Sequence, residues 1–338
     1  MNLRIYYMVV LLLFSTVATA LPTAKITIKV IDEQGNPVEG AKVGAGFSKP
    51  KSGEWGSDIS GGTGLSDADG LYVAEGETEP YVGFGAIKEG YYRSGGKFSK
   101  FTDTTGVLGF RKYEPWNPTV ELVLKKIINP IPMYAVRMLG GDRGDYLTLP
   151  VIGRFIGFDL IAKDWMVPHG LGTHSDFLFK VDIARANSYM DYDVTLTVKF
   201  PNPGDGLIEY TPDITKGKST LRLPHHAPIS GYENQMIHRY ESSPDVMQYP
   251  GAGNPEFDIN YFFRVRTELD KDGNVIGGLY GKIYGEISLG NYAWLHDDKP
   301  YINVNYYLNP NNNDTNIEFD PEQNLFKGVP DKLKVSAP

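Results

Sequence analysis

Cysteine is missing from all 338 residues of this chain. Its absence excludes disulfide staples, thiolate metal sites, cysteine nucleophiles and a lipidated N-terminal cysteine. A chain of this length buries enough surface to do without cross-links. Positive charge is also scarce. Lys and Arg number 33 against 41 Asp and Glu, a net charge of −8, which argues against the basic face a nucleic-acid binder needs. Long apolar runs are scarce too: residues 5–14 form one that is too short to span a bilayer comfortably. No 3.6-residue periodicity persists beyond two turns, and there is neither a parallel βαβ alternation nor an internal repeat. A phosphate-binding glycine loop and a Gly-x-Ser-x-Gly elbow are both missing. What is plentiful suits β-structure with many tight turns: 22 Tyr, 16 Phe and 38 Gly.

The first twenty residues read as a signal peptide. Arg4 supplies the basic start, residues 5–14 the apolar core, and Ala18-Thr19-Ala20 the small-residue cleavage site. Cleavage near Ala20 starts the mature chain at Leu21, exported to a periplasmic or extracellular location with no membrane span. An uncleaved anchor is the rival reading. Loss of Arg4 makes the mature chain one unit more acidic.

From residue 26 the pattern is regular. Ile26, Ile28 and Val30 alternate with Lys25, Thr27 and Lys29, the mark of a strand with one buried face. Gly35-Asn36-Pro37 breaks it, and Ala41, Val43 and Ala45 start a second alternation. Ser66-Asp67-Ala68-Asp69-Gly70 is a turn feeding Leu71 and Tyr72, and Glu89-Gly90-Tyr91-Tyr92 closes another strand. Val120, Leu122 and Leu124 share one face of a final strand, residues 119–125. This series resembles the carboxypeptidase regulatory-like domain. The resemblance implies a transthyretin-like β-sandwich over residues 21–126, an accessory module of secreted and surface proteins. Residues 48–64 and 94–118 read as insertions in that module, carrying Trp55 and Trp116, each either a cap on the core or a ligand contact.

Residues 127–133, with Asn129-Pro130-Ile131-Pro132, read as a proline-rich linker. Beyond it, residues 134–338 read as a second all-β domain. Strand patterns cover residues 177–183, 194–200, 262–268, 280–288 and 301–308, separated by turn chemistry at 202–206, 270–274 and 309–313. The predicted fold class is therefore all-β, with a transthyretin/Ig-like sandwich followed by a second sandwich of jelly-roll type.

Several constellations invite chemistry. His238-Arg239-Tyr240-Glu241 has the His-x-x-Glu spacing of the zinc peptidases that name the front module, with His296 as a third ligand, but the helices and parallel strands of that fold are missing. His174-Ser175-Asp176 with His226 (or His225) has the spacing of a 2-His-1-carboxylate iron site, with Arg239 to anchor a co-substrate carboxylate. His169 with His174 would suit zinc or copper. Asp314, Glu318 and Asp320, amid amides, read as a calcium clamp, so calcium is the cofactor considered and none is required. Asp270-Lys271-Asp272-Gly273-Asn274 starts a calcium-loop pattern but has Gly281 at the twelfth position, and reads better as a hairpin turn. Arg143-Gly144-Asp145 is a three-residue adhesion match, and Asn313-Asp314-Thr315 a glycosylation sequon.

The leading reading is a non-enzymatic exported protein that binds a polysaccharide or an envelope or surface protein. Trp165 and Trp294, beside polar loop residues, are the first platforms to test, followed by Trp55 and Trp116. The alternatives are a metal-dependent enzyme (oxygenase or hydrolase) using His174, Asp176 and His226, and a purely structural envelope protein.

Overall fold

The computed structural model describes residues 21–51, 55–105, 111–138, 147–188, 190–243, 258–290 and 300–338. The protein is all-β. Among the described residues the helical pieces are three short 3-10 turns, and no helix is long and apolar enough to cross a membrane. The chain divides into two compact units. The first takes residues up to Lys126 together with Ile214–Ser219; the second takes Ile127–Asp213 and Thr220–Pro338.

Nine strands build most of the first unit: β1 Thr23–Ile31, β2 Lys42–Pro50, β3 Ser57–Leu65, β4 Leu71–Glu77, β5 Val82–Ile87, β6 Ser94–Phe98, β7 Thr102–Thr105, β8 Arg111–Glu114 and β9 Thr119–Val123. One sheet runs β4-β1-β8-β7, with β9 parallel to β1. The other runs β6-β5-β2-β3, extended beyond β6 by Lys218–Ser219. The period-2 pattern explains the packing: Ile26, Ile28 and Val30 of β1 meet Val43, Ala45 and Phe47 of β2 and Val82 and Ala86 of β5 in one dry core. Turn side chains fix the register. The Asp32 carboxylate accepts from the Gln34 and Asn36 amides, and Asp67 accepts from Asp69 and Leu71. Gly70 has φ +76 and lies so close to the Val30 carbonyl that a Cβ would collide with it.

Two expectations change here. The stretch 48–64 is no insertion: β3 pairs with β2 in unbroken register from Lys42↔Leu65 to Pro50↔Ser57. The stretch 94–118 likewise supplies β6, β7 and β8. Its glycines and polar residues hid the strands because the residues they pair with, not an apolar face of their own, hold them in place.

The second unit contains β10 Tyr134–Met138, β11 Leu147–Thr148, β12 Ile156–Asp159, β13 Asp164–Trp165, β14 Phe177–Ser188, β15 Asp191–Lys199, β16 Gly206–Tyr210, β18 Gln235–Ser242, β19 Asn260–Leu269, β20 Val275–Tyr284, β21 Ser288–Leu289 and β22 Tyr301–Leu308; the number β17 belongs to Lys218–Ser219 of the first unit. The larger sheet runs β10-β22-β20-β19-β16, with β11 and β21 also on β22. The smaller runs β13-β12-β14-β15-β18. Their inner faces interdigitate through Phe177, Phe179, Val194, Leu196, Phe263, Val304 and Tyr306, and the Phe177 and Phe263 rings meet edge-on at 5.3 Å.

The outer face of the larger sheet is buried as well, where Ala135, Phe262, Tyr280, Tyr284 and Tyr307 lie under Leu223, Ala227, Ile317, Phe319 and Val335. Residues 127–133 are bound into this unit rather than spanning a gap. The Ile128 and Asn129 amides donate to the Glu318 carboxylate at 2.9 and 2.7 Å, and Ile131 exchanges backbone bonds with Glu318 and Asp320.

Candidate functional site

The exposed surface that departs most from ordinary packing belongs to the first unit. On β2, Val43, Ala45 and Phe47 point into the core, so Gly44, Gly46 and Ser48 point outward. The partner strands are in phase. Gly46 sits beside Gly61 on β3 and Gly83 on β5, and Gly83 beside Lys97 on β6. One row along, Gly44 sits beside Thr63 and Gly85, and Gly85 beside Gly95. Six glycines thus pave two adjacent rows across four strands, about 14 Å wide from the usual strand spacing. Ile59, Leu65 and Ile87 rim this floor and are exposed, and Lys97 lies 3.8 Å over the Tyr81 ring. A hollow of about 510 Å³ opens on it, lined by Gly44, Gly46, Ile59, Gly61, Thr63 and Gly83. A second hollow, about 770 Å³, is lined by Gly40, Lys42, Ile87, Lys88 and Glu89.

The fold does not demand all of these glycines. None of the six has a positive φ. A Cβ on Gly83 would meet nothing within 4 Å, and one on Gly44 would make an ordinary contact at 3.5 Å with Thr63. Gly61 differs, since a Cβ there would strike the Ala45 carbonyl. A strand glycine with room for a side chain weakens the strand and marks a place where something approaches the backbone closely.

Trp55 is near this surface in sequence only. It lies in the connection between β2 and β3 and is 102% exposed, so it caps no core. Trp116 is 40% exposed and has Lys25 and Lys112 at 5.9 and 5.8 Å from its ring. Trp165 is a correction: it is 7% exposed and packs edge-on against Phe158 and Phe179, so it offers no platform. Trp294, His296 and Arg143-Gly144-Asp145 lie outside the described residues.

The candidate metal sites do not assemble. No group of three or more His, Asp or Glu side chains placed to hold a metal occurs among the described residues. Asp176, 1% exposed, receives Nε and Nη2 of Arg266 at 2.8 and 2.9 Å, plus the Leu160 amide. His174 is exposed and bonds Thr173 through Nδ1, while His226 bonds Thr315. Arg239, the expected co-substrate anchor, is held bidentately by Asp193 at 2.9 and 2.8 Å. His238 and Glu241 lie three apart on β18, which puts them on opposite faces, so the peptidase spacing has no helix to make it work.

The carboxylates expected to clamp calcium accept from nearby amide groups instead. Asp314 accepts from the Asn316 amide, Asp320 from Glu322 and from the Gln323 side chain, and Glu318 from Ile128 and Asn129. Asp270 accepts from Asp272 and Asn274 in the turn joining β19 to β20.

A further ionic cluster escaped the sequence. Arg266 has φ +54 at an irregularity in the β19–β20 ladder. It joins Asp176 to Asp159, while Asp205 accepts from the Arg266 and Thr267 amides. Burial pushes the Asp159 carboxyl up, but the amides of Ala162, Thr173 and His174 and the Arg266 charge outweigh it and bring it down to about 2. Burial dominates at Asp205 and raises its carboxyl. The cluster holds unlike loops together inside the second unit.

No family model and no curated protein sequence matches the chain. Similar solved structures include 3-chlorocatechol 1,2-dioxygenase from Rhodococcus opacus, at 10% identity and TM-score 0.25 over 32% of this chain and 62% of that one. The major pilin subunit of Bacillus cereus aligns at 13% identity and TM-score 0.21 over 83% of this chain and 95% of that one. A streptococcal ancillary pilin aligns at 13% and 0.18 over 71% and 52%. The chain thus spans about three fifths of the dioxygenase it matches. At such values the likeness carries no argument about activity.

Proposed function

We propose that this is an exported, non-enzymatic protein whose first unit, a carboxypeptidase regulatory-like module, binds polysaccharide on its glycine-paved face. One observation carries the reading: a fully exposed Trp55 follows β2 and precedes β3, whose outward positions form a flat backbone floor. Sugar rings stack their C–H faces on flat surfaces and tryptophan rings, and their hydroxyls pair with nearby polar groups. Thr63, Lys42 and Lys97 supply such groups on the same face. The order of strands and turns through residues 26–92 supports the module assignment, and the cleavage pattern at Ala18-Thr19-Ala20 supports export. The non-enzymatic reading is supported by the structural employment of Asp176, Glu318 and Arg239.

The test is retention of the mature chain on insoluble cellulose, chitin and α-glucan. Retention on one of them, at least tenfold weaker in Trp55→Ala with an unchanged melting temperature, is the expected result. Retention on none, or retention indifferent to Trp55, overturns the reading.

A further inference from the structure

The outer face of the larger sheet in the second unit changes character along its strands. At one end Ala135 and Tyr307 lie in the buried aromatic layer. Toward the other end the outward positions become Asn305 and Asn303 on β22 and Arg137 on β10, with Arg137 directly opposite Asn305. A cleft of about 510 Å³ opens there, its lining including Arg137, Arg222, Ser288, Asn303, Asn305 and Lys334. That volume falls in the range of about 300–1,000 Å³ common for small-molecule sites.

Three cations line the cleft against one acid, Glu286, in a chain whose net charge is −8. They are not equally committed. Arg222 reaches Asp258 at 3.3 Å and stacks over Tyr284, and Lys334 pairs with Asp331 at 2.6 Å. Arg137 is exposed and has no acid within ion-pair distance among the described residues. Burial raises the Tyr307 phenol, and the charges of Arg222 and Arg137 both pull it back. Ser288, Asn303 and Asn305 make the adjoining wall polar, with Nδ2 of Asn303 3.5 Å from Oγ of Ser288, while Oδ1 of Asn305 is itself buried and without a hydrogen-bond partner.

We propose that this cleft binds an acidic sugar, with the carboxylate on Arg137 and the ring hydroxyls on Asn303, Asn305 and Ser288. A planar guanidinium matches a carboxylate with two parallel bonds, a geometry a lysine cannot offer. Amides and a hydroxyl on the adjoining wall match a polyhydroxylated ring better than an apolar acid. The site lies wholly in the second unit and is independent of the glycine face.

The test is titration calorimetry of the mature full chain with galacturonate oligomers, neutral galactose oligomers of the same length and inorganic sulfate. Galacturonate should bind, Arg137→Ala should weaken it at least tenfold, and Arg137→Lys should recover only part of the loss. Trp55→Ala should leave it unchanged, which separates this site from the other. Absence of galacturonate binding, equal binding of the neutral oligomer or of sulfate, or indifference to Arg137→Ala overturns the proposal. Arg137 is exposed, so an unchanged melting temperature is expected; should Arg137→Ala misfold, Arg137→Gln provides the same comparison.

Discussion

Each unit has one sheet whose outer face is informative, and the two faces are treated in opposite ways. In the second unit the outer positions of β10, β19, β20 and β22 carry Ala135, Phe262, Tyr280, Tyr284 and Tyr307, and other parts of the unit cover them. In the first unit the outer positions of β2, β3, β5 and β6 carry glycine at six places, with Thr63 and Lys97 in the same rows and a rim of Ile59, Leu65 and Ile87. The first arrangement turns a sheet face into core. The second gives up packing and strand propensity, and so keeps a flat surface open. A face that costs stability without a steric reason, as at Gly83, is most simply explained by what lies against it in use.

That contrast can be attacked from either side, beginning where the effect is largest. Phe319→Ala removes a fully buried ring from the covered face and should cost about 3–5 kcal/mol by denaturant unfolding. A loss below about 1 kcal/mol would mean the cover is not core. Arg266→Met leaves Asp159 and Asp176 buried without their cation and should cost a similar amount, about 3–5 kcal/mol.

Acid sharpens the same point. Asp159 is held near 2 in the folded protein, below the unfolded value, so its contribution is full above pH ~4 and fades as pH falls toward 2. A single shift of this size is worth about 2 kcal/mol. Asp205, raised by burial, works in the opposite sense. Stability of the second unit followed from pH 5 to 2 should therefore fall, and fall less in Asp159→Asn, which has lost most of the contribution already.

On the open face the sign reverses. Gly83→Ala meets no neighbour and should raise the stability of the first unit by about 0.5–1 kcal/mol, the usual penalty of a mid-strand glycine. Trp55→Ala, which touches no core, should leave stability within about 0.5 kcal/mol of the parent.

Much of the covered architecture was legible in the sequence, and the open face was not. The alternation of Ile26, Ile28 and Val30 marked β1, and the runs at 177–183, 194–200, 262–268 and 301–308 marked the strands of the second unit, because a buried face writes a period of two. The strand at 57–65 carries no apolar face, so its sequence reads as an insertion. Its signal was present elsewhere: Gly44 and Gly46, then Gly83 and Gly85, alternate in phase with inward Val43, Ala45 and Val82, Ala86. Glycine in that phase is a face without side chains rather than a break. The metal readings failed because short spacings say nothing of direction. His238 and Glu241 part company on a strand, and Asp176 turns inward to an arginine 90 residues away. Arg266 itself was invisible, since the irregularity that gives it a positive φ interrupts an otherwise regular strand pattern.

The most direct test of the open-face account takes Gly83→Val and measures melting temperature and polysaccharide retention on the same preparation. The account predicts a melting temperature at or above that of the parent with retention at least tenfold weaker, because the side chain finds room but lifts the ligand from the floor. A well-folded Gly83→Val protein that binds as tightly as the parent would contradict it.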